Sequence, residues 1–393
     1  MEAGGEMMKK KVLIRGPLLT MSGYGTHSRQ IFRWLETKDV QVCSQITPWG
    51  VTPWYVNPDL CDGLVGRIMA TASPLTQRPD VSFQIQLPNE WDPTIAKYNV
   101  GITAAVETDK CNPEWVEACN KMSKVIVPST HTKKCLENSG RLSKEIEVIP
   151  EAFYDCLLDS KNESTLDLEL STDFNFLIFG QITGFDPFTD RKNTFFAIRW
   201  LCEEFSNNPD VGIVIKTNQG TNSSRDRVMT SKMLDQLVRE ARKGPYPRIY
   251  MLHGALEPEE IQSVYQNPKI KALVSATRGE GFGLPILESA AAGLPVIATD
   301  WSGHLDFMNK GKFIKLNYSL QNITDKRVDG NIFLPGTKWA EVSEQDFKRK
   351  VRKFYKSSDK PKEWAVNLSK IIKENYSQES INNLYTQTFD GIL

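Results

Sequence analysis

Short apolar runs alternate with longer amphipathic stretches along most of the chain. This alternation narrows the fold sharply, because strands joined through helices build βαβ units and a mostly parallel sheet. In the first half, strands are expected at 11–15, 102–106, 124–127 and 146–149. The first is followed by a helix with Ile31, Trp34 and Leu35 on one face. Asn112-Pro113-Glu114 carries helix-start chemistry: a capping side chain, proline at the first helical position and an acid in the first turn. Ser129 or Thr130 caps the next helix. In the second half, strands are expected at 174–179, 211–215, 248–252, 272–275 and 295–298, with a helix from about Thr194 to Phe205.

Between the two sets the chain is polar, acidic and poor in strand signals. The expected organisation is an α/β chain of two Rossmann-like domains: residues 1–155, a linker over 156–172, and residues 173–365. A C-terminal helical segment, 366–393, returns to the first domain, with Ile381, Leu384, Tyr385 and Phe389 on one face. Ligands of open parallel sheets bind beyond the carboxyl ends of the strands, so two facing sheets would share one cleft.

Composition removes several classes. With 48 Lys+Arg against 48 Asp+Glu the formal charge is zero, which argues against a general polyanion binder. No apolar run approaches the roughly 18 residues of a membrane span. Met8-Lys9-Lys10-Lys11-Val12-Leu13-Ile14 resembles a signal peptide only until Arg15-Gly16 interrupts it, and a first strand explains it better. Seven dispersed cysteines without a Cys-x-x-Cys fit free thiols in a reducing, cytoplasmic setting. Zinc at Cys111 and Cys119 would need further ligands, and the chain has four histidines.

The chemistry concentrates in Ser275-Ala276-Thr277-Arg278-Gly279-Glu280-Gly281-Phe282-Gly283-Leu284-Pro285-Ile286-Leu287-Glu288. A strand ends near Ser275, a glycine loop follows, and Pro285 opens a helix that Gly293 stops. The glycines are read as permitting unusual dihedrals and close ligand approach. The helix start presents free N–H groups to hydroxyl or phosphate oxygens. Glu280 in the loop and Glu288 one turn into the helix face one pocket in this reading. There they accept hydrogen bonds from different hydroxyls of one polyol.

This string, continued by Ala290-Ala291-Ala292-Gly293-Leu294-Pro295-Val296-Ile297-Ala298, resembles the signature of retaining glycosyltransferases of family 4, which have the GT-B fold. The two glutamates of Glu-Gly-Phe-Gly-Leu-Pro-x-x-Glu stand here at Glu280 and Glu288. The resemblance implies that Glu280 holds the donor sugar's hydroxyls. Backbone N–H groups of Phe282, Gly283 and Leu284 then bind sugar or phosphate oxygens, and Glu288 accepts from the ribose. The family's arginine after the first strand of the second domain is replaced by Gln181 in Phe179-Gly180-Gln181-Ile182-Thr183. Arg191 and Lys192 are expected to supply the two charges jointly, with Lys216 as a third cation.

By the same resemblance Gly23-Tyr24-Gly25 meets the donor phosphate across the cleft; read alone, it is also an ordinary turn. Ser302 and Gly303 approach the diphosphate or the acceptor. Glu107, where many relatives have a histidine, either orients the acceptor, receives its proton or simply starts a helix. His131 is a second base candidate. The front-side route described for such enzymes lets the leaving phosphate take the acceptor proton. Asp186 and Asp190 do not form an Asp-x-Asp pair, so no metal is expected.

The expected reaction is sugar transfer from a UDP- or GDP-sugar, the donor being a substrate and no cofactor being required. The acceptor is expected to be a saccharide or glycan. Hydroxymethylated bases in DNA are the second acceptor class, because 348–362 carries eight Lys/Arg against Asp359. Trp49, Trp54 and Tyr55 form an aromatic loop able to stack on sugars or bases, or to pack internally. The rival readings are a non-catalytic nucleotide- or glycan-binding module of the same fold and a phosphorylase.

Overall fold

The computed structural model describes residues 9–159, 166–182 and 186–393. Met8, Thr183 and the 160–165 part of the expected linker lie outside the described residues. The first sheet holds β1 (Lys10–Gly16), β2 (Val40–Ile46), β3 (Val81–Ile85), β4 (Tyr98–Ile102), β5 (Lys124–Val127) and β6 (Ile146–Val148), in the order β2-β1-β3-β4-β5-β6. The second holds β7 (Phe174–Phe179), β8 (Val211–Thr217), β9 (Arg248–His253), β10 (Ile270–Ser275), β11 (Val296–Thr299) and β12 (Ile314–Leu316), in the order β12-β11-β10-β7-β8-β9. Every pairing within both sheets is parallel. Two Rossmann-like units facing across a cleft make this the α/β GT-B architecture.

The helix starts follow local chemistry. The Asn112 side chain accepts from the Glu114 N–H ahead of the helix Pro113–Lys121, and Ser129 accepts from the Thr132 N–H ahead of Thr130–Glu137. One strand is misplaced by its apolarity. The run 102–106 was expected as strand, but β4 ends at Ile102. Thr103 turns the chain, its hydroxyl accepting from the Ala105 N–H, and Ala105 takes a φ of +48°. Ala105 and Val106 are apolar because they pack with Phe333 and Trp339 of the second domain, not because they pair in a sheet.

Phe333 and Trp339 come from an arm of the second domain that carries the antiparallel pair β13 (Tyr318–Asn322) and β14 (Lys338–Val342). Asp109 clasps this arm: its N–H donates to the Lys338 carbonyl, and its carboxylate accepts from the Lys338 N–H at 2.6 Å. The helix Asp359–Asn375 packs Leu368 and Ile372 against the second domain. The final helix, Gln378–Thr388, crosses back and buries Ile381, Tyr385 and the following Phe389 against Trp34 and Phe83. Leu384, expected on that stripe, is exposed, since the docked positions recur at four-residue steps from Ile381.

The basic run 348–362 spans two helices, and much of its charge is matched. Lys348 pairs with Glu203 and Glu344, Arg352 with Glu204, and Arg349 and Lys350 with Asp346. No helix among the described residues is long and apolar enough to cross a membrane.

Candidate active site

The carboxyl ends of both sheets border an interdomain cleft of about 410 Å³. From the first domain, Gly23, Tyr24 and Glu107 line it; from the second, Arg191, Lys192, Lys216, Glu280, Phe282, Gly283, Leu284 and Glu288. A cleft of this size suits a small organic ligand.

Glu280 follows β10 at the tip of the glycine loop and is nearly fully buried. Both its carboxylate oxygens accept from Lys192 Nζ, at 2.7 and 2.8 Å, and Arg191 Nη1 stands 3.4 Å away. Burial by itself would push this carboxyl up; Lys192 and Arg191 outweigh it and hold the group at about 2. Arg191 also donates to the Gly279 carbonyl at 2.7 Å and pairs with Glu107 at 3.3 Å. Burial disfavours its charge, but Glu107 and Glu280 more than compensate and raise its pKa. Glu107 therefore braces a cation across the domain boundary.

The loop that presents Arg191 and Lys192 is held by Arg278, a residue the sequence motif contained without suggesting a role. Arg278 is fully buried, donates to the Pro187 and Asp190 carbonyls at 2.8 and 2.6 Å, and pairs with Glu341. Its backbone N–H donates to the Arg191 carbonyl.

The glycines divide into two uses. Gly283 caps the helix Leu284–Ala291 at a φ of +101°, where a side chain is strained. Gly279 and Gly281 instead let the domains touch. A β-carbon on Gly281 would lie 2.9 Å from the Ala104 carbonyl oxygen, and the Gly281 carbonyl accepts from Ser129 Oγ at 2.5 Å. Gly279, expected to admit a ligand, faces first-domain backbone instead, whereas Gly281 both touches the first domain and lines the cleft.

Gly25, Ser302 and Gly303 do not line the cleft. Gly25 is packed against the Thr20 carbonyl. Ser302 Oγ accepts from the Glu280 N–H at 2.9 Å, and the Gly303 N–H donates to the Glu280 carbonyl at 2.9 Å. Both hold the loop from behind, at Ser302 with a φ of +90°. His131 also stands off the cleft, edge-on to Trp301, and burial lowers it to about 4. Gln181 reaches the cleft rim and is exposed.

Lys216 lies within β8, nearly buried, with Nζ donating to the Gly254 carbonyl at 2.6 Å and to Asn218 Oδ1 at 2.8 Å. Burial lowers it to about 8. Glu288 accepts from the Tyr265 hydroxyl at 3.0 Å. Burial raises Glu288 to about 8, and the Tyr265 bond only partly opposes this.

Sequence reasoning missed Glu151. It is buried, lines the cleft and has one carboxylate oxygen, Oε2, with no hydrogen-bond partner among the described residues. Burial, then the charge of Glu288, raises it to about 8. The signal was available: Glu151 stands three residues beyond β6, past a strand's carboxyl end. Of the aromatic loop, Trp49 and Tyr55 line the cleft, Trp49 stacks on Tyr24 at 3.9 Å, and Trp54 is exposed outside it.

Residues 230–370 match the family model of glycosyl transferases group 1. The matched stretch runs through the glycine loop, Glu280 and Glu288. No curated protein sequence matches the chain. Among solved structures, a glycosyltransferase from Rickettsia africae is 13% identical with a TM-score of 0.66, covering 98% of each chain. HepE of Anabaena, solved with UDP and glucose, is 15% identical with a TM-score of 0.61, covering 97% of this chain and 99% of its own. Sucrose-phosphate synthase of Thermosynechococcus elongatus is 15% identical with a TM-score of 0.60, covering 98% and 100%. The fold is thus GT-B, and the stretch that holds the glycine loop is similar to the glycosyl transferases group 1 model.

Proposed function

We propose that this chain is a retaining glycosyltransferase of family 4 that moves a sugar from a nucleoside diphosphate sugar, with UDP or GDP, to the hydroxyl of a saccharide or glycan. The observation that carries the reading is the buried Glu280, clamped by Lys192 and Arg191 beside a helix start, in a cleft between two Rossmann-like domains.

In this reading the helix start at Leu284 and the cations Arg191 and Lys192 take the diphosphate. A diphosphate leaving group gains charge in the transition state, and fixed cations in a dry cleft stabilise that charge without reorganising. They therefore supply what a divalent ion supplies elsewhere, so the activity is proposed to be metal-independent and to need no cofactor. Glu280 accepts from hydroxyls of the sugar, and its ionised state strengthens those bonds. Glu107 positions Arg191. The acceptor enters from the first domain, where Trp49 and Tyr55 offer flat surfaces for a sugar ring. Its proton passes to the leaving phosphate. The charge pairing over 348–362 favours a glycan over DNA. Location in the cytoplasm rests on the dispersed thiols, as the sequence suggests.

The test is release of UDP or GDP from a panel of nucleotide sugars, with and without saccharide acceptors, with product configuration read by NMR. Slow donor hydrolysis without acceptor and a retained anomer with acceptor are expected. No nucleotide release from any donor would remove the reading.

A further inference from the structure

The cleft has two electrostatic poles. At one, Glu280 is saturated by Lys192 and Arg191. At the other, Glu151 of the first domain and Glu288 of the second line the same cleft, and the charge of Glu288 disfavours ionisation of Glu151. Glu151 Oε2 is buried without a partner among the described residues, and His27 Nδ1 lies 3.8 Å from the other oxygen, beyond hydrogen-bond range. Burial lowers His27 to about 3, so it stays neutral and does not balance the carboxylate. Leaving a buried acceptor unmatched is costly, so the site is shaped for a hydrogen-bond donor that arrives with the ligand.

The geometry fixes what kind. Glu288 stands four residues beyond Leu284, about 6 Å along the helix from its start. A phosphate at the helix start places the next sugar of a nucleotide at Glu288, and that sugar carries two adjacent hydroxyls. Resting on the donor reading above, we infer that the ribose diol of the nucleotide bridges the domains, one hydroxyl donating to Glu288 and the other to Glu151. Glu151 thereby becomes a specificity residue for an unmodified ribose.

Calorimetry of wild type, Glu151→Ala, Glu151→Gln and Glu288→Ala with UDP and GDP and with their 2′-deoxy and 3′-deoxy forms tests this. Wild type should lose about three- to tenfold in affinity for each deoxy form, the range for losing one neutral hydrogen bond. In Glu151→Ala the ribonucleotide should weaken by a similar factor, and one deoxy form should bind no worse than it. In Glu288→Ala the other deoxy form should behave that way. Glu151→Gln, nearly the same shape, should fall between. Nucleotide binding with undiminished discrimination in Glu151→Ala overturns the inference and leaves the donor reading standing. No nucleotide binding by wild type overturns both. Loss of folding in both Glu151 variants assigns the residue to structure and also overturns it.

Discussion

A β-carbon on Gly279 would sit 2.1 Å from the carbonyl oxygen of Glu107, so the second domain meets the first there through bare backbone. The same two residues are joined through Arg191, which donates to the Gly279 carbonyl and pairs with the Glu107 carboxylate. Domain contact and placement of the cleft cation Arg191 are therefore one event.

Gly279→Ala should force the domains apart and move Arg191. Turnover should fall by at least about tenfold, since a misplacement near 1 Å already costs up to two orders of magnitude. Small-angle scattering should show a larger radius of gyration. Wild-type compactness together with wild-type turnover would refute the contact.

Lys192→Ala strips Glu280 of its closest partner. Turnover should fall about a hundredfold or more, the range for losing a transition-state charge donor. Glu280 is held at about 2, below its ordinary 4.5. Its pairing therefore contributes stability fully above about pH 4.5, and that contribution disappears as the pH falls toward 2. Glu280→Gln should show a shallower decline across that acid window than wild type in thermal melts.

Glu151 and Glu288 have the opposite sign. Each is raised to about 8, so between its ordinary 4.5 and 8 the folded chain keeps protons that the unfolded chain releases. Stability from these groups falls as pH rises through that window. Melting wild type beside Glu151→Gln/Glu288→Gln cancels the titration of other groups. The variant should gain on wild type steadily from pH 5 to 8, and a constant difference would contradict the assignment.

Glu341→Gln removes the charge facing the buried Arg278. Breaking such a pair costs about 3 kcal/mol, because the remaining charge stays out of water. The urea midpoint should drop, and turnover should drop with it, since Arg278 holds the carbonyls of Pro187 and Asp190 next to Arg191 and Lys192.

Excess chelator should leave donor turnover unchanged, because Lys192 and Arg191 carry the positive charge. Complete loss of activity, restored by Mg²⁺ or Mn²⁺, would contradict that role.

Much of this arrangement is legible locally. The strand–glycine–helix unit from Ile270 to Ala291 follows from β-branched residues, turn glycines and a proline at a helix start. Several helix caps are equally plain. What escaped has a common cause: it depends on contacts between distant segments. The run 102–106 looks like strand because apolar residues serve a sheet and a domain interface alike. Leu384 looks like core because a stripe shows which face is apolar but not how far its neighbour reaches. Gly279 looks like part of a ligand cradle because an absent side chain does not say what fills its place.

The order of residues alone determined two parallel α/β units and one acidic pair, Glu280 and Glu288, on a single turn and helix, because those features arise within a few consecutive residues. Only the folded chain decided that Arg191 is shared by Glu107 and Glu280, that Ser302 and Gly303 brace the loop from behind, and that Glu107 faces Gly279 across the domain boundary. Each of these depends on groups from separate elements brought within a few ångströms, and charge, burial and steric fit act through such distances, not through position along the chain.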